Sequence, residues 1–131
     1  MRLPVAVAVA AFPVASYGEP FTGNFIYSIC TSSDPAQQGA CLGFYSGLVE
    51  GMIFGTLNSF AAVGLGAEMT LEDMQNFGNG ILGYCLPPSA NNQQIVDINV
   101  QYLRDNPSLR HESARSSYLL AMQQAFPCPM E

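Results

Sequence analysis

Asn91-Asn92-Gln93-Gln94-Ile95-Val96-Asp97-Ile98-Asn99-Val100-Gln101-Tyr102-Leu103-Arg104-Asp105-Asn106-Pro107 is the stretch that decides the fold. Ile95, Val96, Ile98, Val100, Tyr102 and Leu103 form a broad apolar face at helical period, and Gln94, Asp97, Gln101 and Arg104 form the opposite face. Asn91 or Asn92 can cap the start. Asn106-Pro107 ends the helix, because a residue before proline is pushed out of the helical region. Asn99 falls inside the apolar arc and needs a hydrogen-bonding partner if buried. A second helix is expected from about His111 to Ala125, with Ala114, Tyr118, Ala121, Met122 and Ala125 as its core stripe. Cys85-Leu86-Pro87-Pro88 precedes this pair and Phe126-Pro127-Cys128 follows it, so two cysteines, each close to proline, bracket two helices.

Upstream, Thr22 to Cys30 is a short helical candidate, with Phe25, Ile26 and Ile29 at helical spacing. Thr31 to Gly39 reads as a polar connector. Ala40 to about Val63 is the longest apolar stretch, and Gly43, Gly47, Gly51 and Gly55 recur every fourth position along it. On a helix they form one slowly drifting stripe. Each costs roughly 1 kcal/mol relative to alanine, so the stripe predicts close packing by a neighbouring helix or a second subunit. A membrane span from Cys41 to Gly66 is disfavoured by Glu50 near its middle, by Ser46 and Asn58, and by the weakly apolar glycines. Gly64 to Gly83 is expected to be largely irregular. Within it Thr70-Leu71-Glu72-Asp73-Met74 looks like a short capped helix, while Gly78, Gly80 and Gly83 argue against regular helix afterwards. There is no internal repeat and no useful strand alternation. The expected fold is all-α: a small disulfide-stapled bundle of about four main helices.

The chain has 131 residues, 49% of them hydrophobic, which suits one domain with a modest core that needs reinforcement. Leu3 to Val14 is apolar, Arg2 is the only charge before Glu19, and Ala15, Ser16 and Gly18 suit cleavage. Residues 1–18 are therefore expected to be a signal peptide and 19–131 the mature domain. The alternatives are a buried N-terminal helix and a membrane anchor, for which the run is short. Export explains the even cysteine count: Cys30, Cys41, Cys85 and Cys128 are expected to form two disulfides in an oxidising compartment. Of the possible pairings, Cys30–Cys41 with Cys85–Cys128 is preferred, because each joins helix ends that a short turn or an antiparallel hairpin brings together. No Cys-x-x-Cys occurs and His111 is the only histidine, so zinc is not expected.

The formal charge is −6, and losing Arg2 makes it −7. No lysine is present, and Arg104, Arg110 and Arg115 are the remaining cations. Nucleic acid is a poor partner for such a chain, because phosphate binding needs clustered cations. A basic protein partner suits it, unless the acidity serves only solubility.

The ordered set Cys85-Leu86-Pro87-Pro88, Gln93-Gln94-Ile95-Val96, Tyr102-Leu103, Asn106-Pro107, Arg110-His111, Ala114 and Ala125-Phe126-Pro127-Cys128 resembles the Rap1a/Tai family of small periplasmic proteins. The resemblance extends upstream through Cys41-Leu42-Gly43-Phe44-Tyr45-Ser46-Gly47 and the Thr22-Gly23-Asn24 to Cys30 segment. It implies a Rap1a-like helical fold, similar to the small HdeA-like proteins, and a role as an exported immunity protein. Its partner would then be a periplasmic toxin of type VI secretion, such as a peptidoglycan amidase, neutralised by covering its active site.

The residues carry little catalytic chemistry. A nucleophile needs an activating base, and His111, at a helix start, suits capping or packing better. Glu68, Glu72 and Asp73 are clustered where a helix dipole favours acids. Glu50 and Arg115 are each a charge on a largely apolar face, and either pair inside or lie at the surface. No cofactor or metal is expected. Binding is expected through the 64–83 region, with Glu68, Glu72, Asp73, Asn76 and Asn79 as contact candidates. A periplasmic acid-stress chaperone of the HdeA-like type, a family member without a toxin partner, and an enzyme are the competing readings. A homodimer across the glycine stripe is compatible with the first.

Overall fold

A computed structural model describes residues 21–63, 68 and 70–129. The expected signal peptide at 1–18 lies outside the described residues. Among them there are five α-helices, one 3-10 turn and no strand; a single isolated bridge pairs Thr22 with Ser113.

Helix α1 (Gly23–Cys30) starts at Thr22, whose hydroxyl accepts from the Phe25 amide. Helix α2 (Pro35–Ala62) starts ahead of the expected Ala40, so most of the supposed connector is its first turn. The reason is local. Asp34 Oδ1 accepts from the Ala36 amide at 3.0 Å, and Pro35 occupies a first-turn position where its missing donor costs nothing. At 28 residues α2 is about 42 Å long.

Helix α3 (Leu71–Leu82) overturns the irregular reading of its region. Its start is a full capping box: Asp73 Oδ2 accepts from the Thr70 amide at 2.8 Å, and the Asp73 amide donates to the Thr70 hydroxyl at 3.2 Å. The helix then runs through Gly78 and Gly80. A Cβ at Gly78 would sit 3.2 Å from Thr56 Oγ1, so the glycine lets α3 approach α2, and that packing outweighs the propensity cost. Gly83, at φ +72°, ends the helix in the left-handed conformation.

Helix α4 (Asn92–Asp105) is capped by Asn91. Helix α5 (Ala114–Ala125) starts later than the expected His111. The intervening segment holds a 3-10 turn (Pro107–Leu109), and its backbone is engaged elsewhere. Gly23 N–H donates to Glu112 O at 2.9 Å, Asn24 N–H to Arg110 O at 2.6 Å, and Ala114 N–H to Phe21 O at 2.7 Å. This clamp fastens the entry to α1 against the α4–α5 turn. It demands glycine at 23, where a Cβ would lie 2.9 Å from Leu103 Cδ2 and 3.1 Å from Arg110 Cα.

The core lies where α1, the first half of α2, α4 and α5 meet. Ile26, Tyr45, Ile95, Leu103, Tyr118 and Met122 are buried there. Asn99 is buried too, and its amide donates to Ile95 O at 2.8 Å. The Tyr84 and Tyr118 hydroxyls are 2.9 Å apart. Burial pushes the phenols of Tyr45, Tyr84 and Tyr118 above the ordinary tyrosine value of 10.0. Two disulfides staple the bundle: Cys30–Cys41 joins α1 to α2, and Cys85–Cys128 closes the antiparallel α4–α5 hairpin.

Candidate functional site

Helix α2 changes character along its length. Cys41, Tyr45 and Val49 are buried at four-residue intervals, facing α1 and α4. Beyond them only Thr56 and Phe60 are buried, and Phe60 packs against Phe77 of α3 with ring centroids 5.1 Å apart. Ile53, Phe54, Leu57 and Val63 are exposed, Phe54 to 67%. Leu71, at the start of α3, is 70% exposed, and Ile81 is exposed as well. Isolated exposed leucines are ordinary, but a cluster on adjoining elements marks a contact surface.

This surface is concave. A groove of about 530 Å³ runs between the second half of α2, helix α3 and the connector that follows it. Ile53 and Leu57 line it from α2, Leu71, Met74 and Asn79 from α3, and Pro87 and Pro88 from the connector. Gly78 and Leu82 are buried along it. The connector is held from behind. Cys85 N–H donates to Phe126 O at 2.9 Å, and Gln123 Nε2 donates to Leu82 O at 2.9 Å. The Cys85–Cys128 bond fixes the same corner.

The five contact candidates separate around this groove. Glu72 and Asn76 are exposed on α3, and Glu68 is exposed ahead of it. Asn79 lines the groove. Asp73 is committed to the cap, and the Thr70 hydroxyl and amide hold its carboxyl below the usual carboxylate value. It therefore serves the helix before it serves a partner.

The other singled-out residues lie elsewhere. Gly43, Gly47, Gly51 and Gly55 face solvent, and nothing among the described residues lies within 4 Å of a Cβ built on any of them. Among the described residues, then, no neighbouring helix packs on this stripe. The expectation arose because four-residue spacing identifies a stripe without saying which way it faces. His111 neither caps nor packs: its side chain is 72% exposed, and its Nε2 is 3.1 Å from the Glu112 carboxylate. Glu50 and Arg115 are both exposed, not paired inside. Arg110 is a structural cation. Its Nε donates to Leu103 O at 2.6 Å, and its guanidinium stacks 3.8 Å over the Tyr27 ring.

Compared with known proteins, residues 22–128 match the family of Rap1a immunity proteins, a span that includes every helix and both disulfides. The chain belongs to the Rap1a immunity protein family. No curated protein and no solved structure matches it. For a Rap1a immunity protein the relevant surface is one that holds a partner, and the groove of α2 and α3 is a concave, partly apolar surface among the described residues. The exposed apolar residues on its walls are the ones sequence reasoning missed. Their signal was present: α2 is apolar nearly all round, more than one buried face can use.

Proposed function

We propose that this chain is an exported immunity protein that neutralises a cognate toxin delivered to the periplasm by type VI secretion, with a peptidoglycan amidase as the toxin class. The family match across the whole helical body carries this reading. On it, residues 1–18 direct export and are removed, and both disulfides form in the oxidising periplasm. The mode of action is occlusion. A stapled bundle presents a preformed surface, so little ordering cost opposes binding. The α3 side of that surface, with exposed Glu68, Glu72, Asn76 and the groove-lining Asn79, suits a toxin that is basic around its active site. No step of chemistry is assigned to the chain.

The open glycine face has a second role in this proposal. Gly43, Gly47, Gly51 and Gly55 leave space along the outside of α2, and exposed Phe54 lies near them on the same helix. A second subunit crossing there makes a homodimer. Size-exclusion chromatography with light scattering is expected to show twice the monomer mass; a monomer at high micromolar concentration removes the dimer.

Co-expression in the periplasm with the product of an adjacent toxin-like gene tests the main reading. Growth is expected to be restored by this protein when exported and not when its first 18 residues are deleted. Equal toxicity with and without it removes the immunity reading.

A further inference from the structure

Resting on the immunity reading, we infer that the α2–α3 groove is the receptor for one apolar loop tip of the toxin, flanked by lysine or arginine. The groove has the size of a site for a few side chains, about 530 Å³. Its walls offer Ile53, Leu57 and Leu71 as exposed apolar contacts. Its back is anchored to α5 by the Gln123 bond to Leu82 O and to the segment after α5 by Cys85–Cys128, so it is shaped before a partner arrives.

Charge selects the occupant. The elements that build the groove carry Glu50 on α2, Glu72 and Asp73 on α3, and Glu68 just before it, and they carry no lysine or arginine. The three arginines downstream of residue 2 lie on α4, the turn after it and the first turn of α5. They are at the far end of the hairpin from the Cys85–Cys128 corner. An anionic membrane surface is repelled by such a rim. A second copy of the chain, docked two-fold on the same patch, would bring acid against acid. An apolar tip flanked by cations gains on both counts: burial in the groove and attraction at the rim.

The test uses isotope-labelled full-length mature protein and two synthetic peptides with the same Leu-Phe-Leu centre, one flanked by lysines and the other by glutamates. The lysine-flanked peptide is expected to shift the amide signals of Leu57, Leu71, Asn79 and Leu82, and to bind about tenfold or more tightly than its counterpart. Leu71→Ser, at an exposed position, is expected to abolish those shifts without moving Tm, and Glu72→Lys to weaken the lysine-flanked peptide alone. No shifts, equal binding of both peptides, shifts confined to other faces, or preferential binding to phosphatidylglycerol vesicles overturns the inference. Toxin co-expression separates it from its foundation. Wild-type protection that Leu71→Ser and Glu72→Lys leave intact overturns the groove and keeps the immunity reading. Wild-type failure to protect overturns that reading, and the toxin-loop assignment with it.

Discussion

The two halves of α2 are both rich in apolar residues and glycine, yet they meet opposite fates. From Cys41 to Val49 the helix buries a residue every fourth position; α1 is stapled to it there, and the entry to α1 is clamped to the α4–α5 turn by backbone hydrogen bonds. From Ile53 to Val63 it meets chiefly α3, and most of its large apolar side chains stay in water. One end is a core and the other a surface built from core residue types. Apolar residues therefore do not by themselves say what a helix packs against. What separates the ends is the set of described elements gathered around them: α1, α4 and α5 converge on the first half, while α3 and the connector after it flank the second. The buried core is concentrated in one place, and the exposed apolar surface, where we propose the partner binds, in the other.

The largest break in that comparison comes from the core end. Tyr118→Ala removes a fully buried ring and leaves the Tyr84 hydroxyl without its partner. A loss of about 3–5 kcal/mol is expected in urea unfolding. Phe54→Ala, at the other end, is expected to change stability by less than about 0.5 kcal/mol. Similar losses at both sites contradict the division. The core end also sets the alkaline limit. Its phenols stay neutral in the fold and ionise more easily once unfolded, so their contribution is complete below pH 10.0 and declines as pH rises above it. Tyr45→Phe is expected to flatten that decline.

The disulfides come next, and they are unequal. Cys85–Cys128 closes a separation of 43 residues and Cys30–Cys41 one of 11. Loop-closure entropy then assigns about 4 kcal/mol to the first and about 3 kcal/mol to the second. Paired serine replacements, compared by thermal unfolding, are expected to follow that order. Losing Cys85–Cys128 is also expected to loosen the groove, since that bond holds its back. Hydrogen exchange at Tyr84 and Leu86 reads this directly.

A smaller effect is expected on the open face of α2. Gly51→Ala meets no neighbour among the described residues and is expected to raise the stability of the monomer by up to about 1 kcal/mol, through helix propensity alone. If a second subunit crosses there, the same change weakens the dimer instead, and Tm falls in a concentration-dependent way.

Helix existence was legible where one face was apolar, as in α1, and where a cap was also present, as at Asn91 and Thr70. The errors lie where contacts distant in sequence decide. Gly78 reads as a breaker until Thr56 is seen against it. His111 reads as the start of a helix until the backbone of its segment is found bonded to the 21–24 strand of chain. The early start of α2 was a different failure, because Asp34-Pro35 is a local signal that the polar residues after it obscured. The acids of the candidate site were visible by composition, but the groove was not. It forms from three elements separated by up to 37 positions, Ile53 to Ala90, and no short motif encodes such a hollow.

The smallest expected effect concerns the hinge between surface and cap. Asp73 is ionised in the fold at a pH where its unfolded counterpart, at 3.8, is already taking up protons, because the Thr70 hydroxyl and then the Thr70 amide stabilise its charged form. A carboxyl with a lowered folded value adds stability that is present above the unfolded value and is lost as pH falls through the folded one. The loss is local, since the capping box holds only the first turn of α3. Protection of the Asp73 and Met74 amides, taken relative to their intrinsic exchange rates, is therefore expected to fall below pH 3.8, while that of α4 is kept. Asp73→Asn is expected to show the lower protection already at pH 7 and little further change on acidification. If wild type and Asp73→Asn differ equally at pH 7 and at pH 2, the carboxylate charge is not what secures the cap. The groove wall beside it is then held by the packing of Phe77 on Phe60 instead.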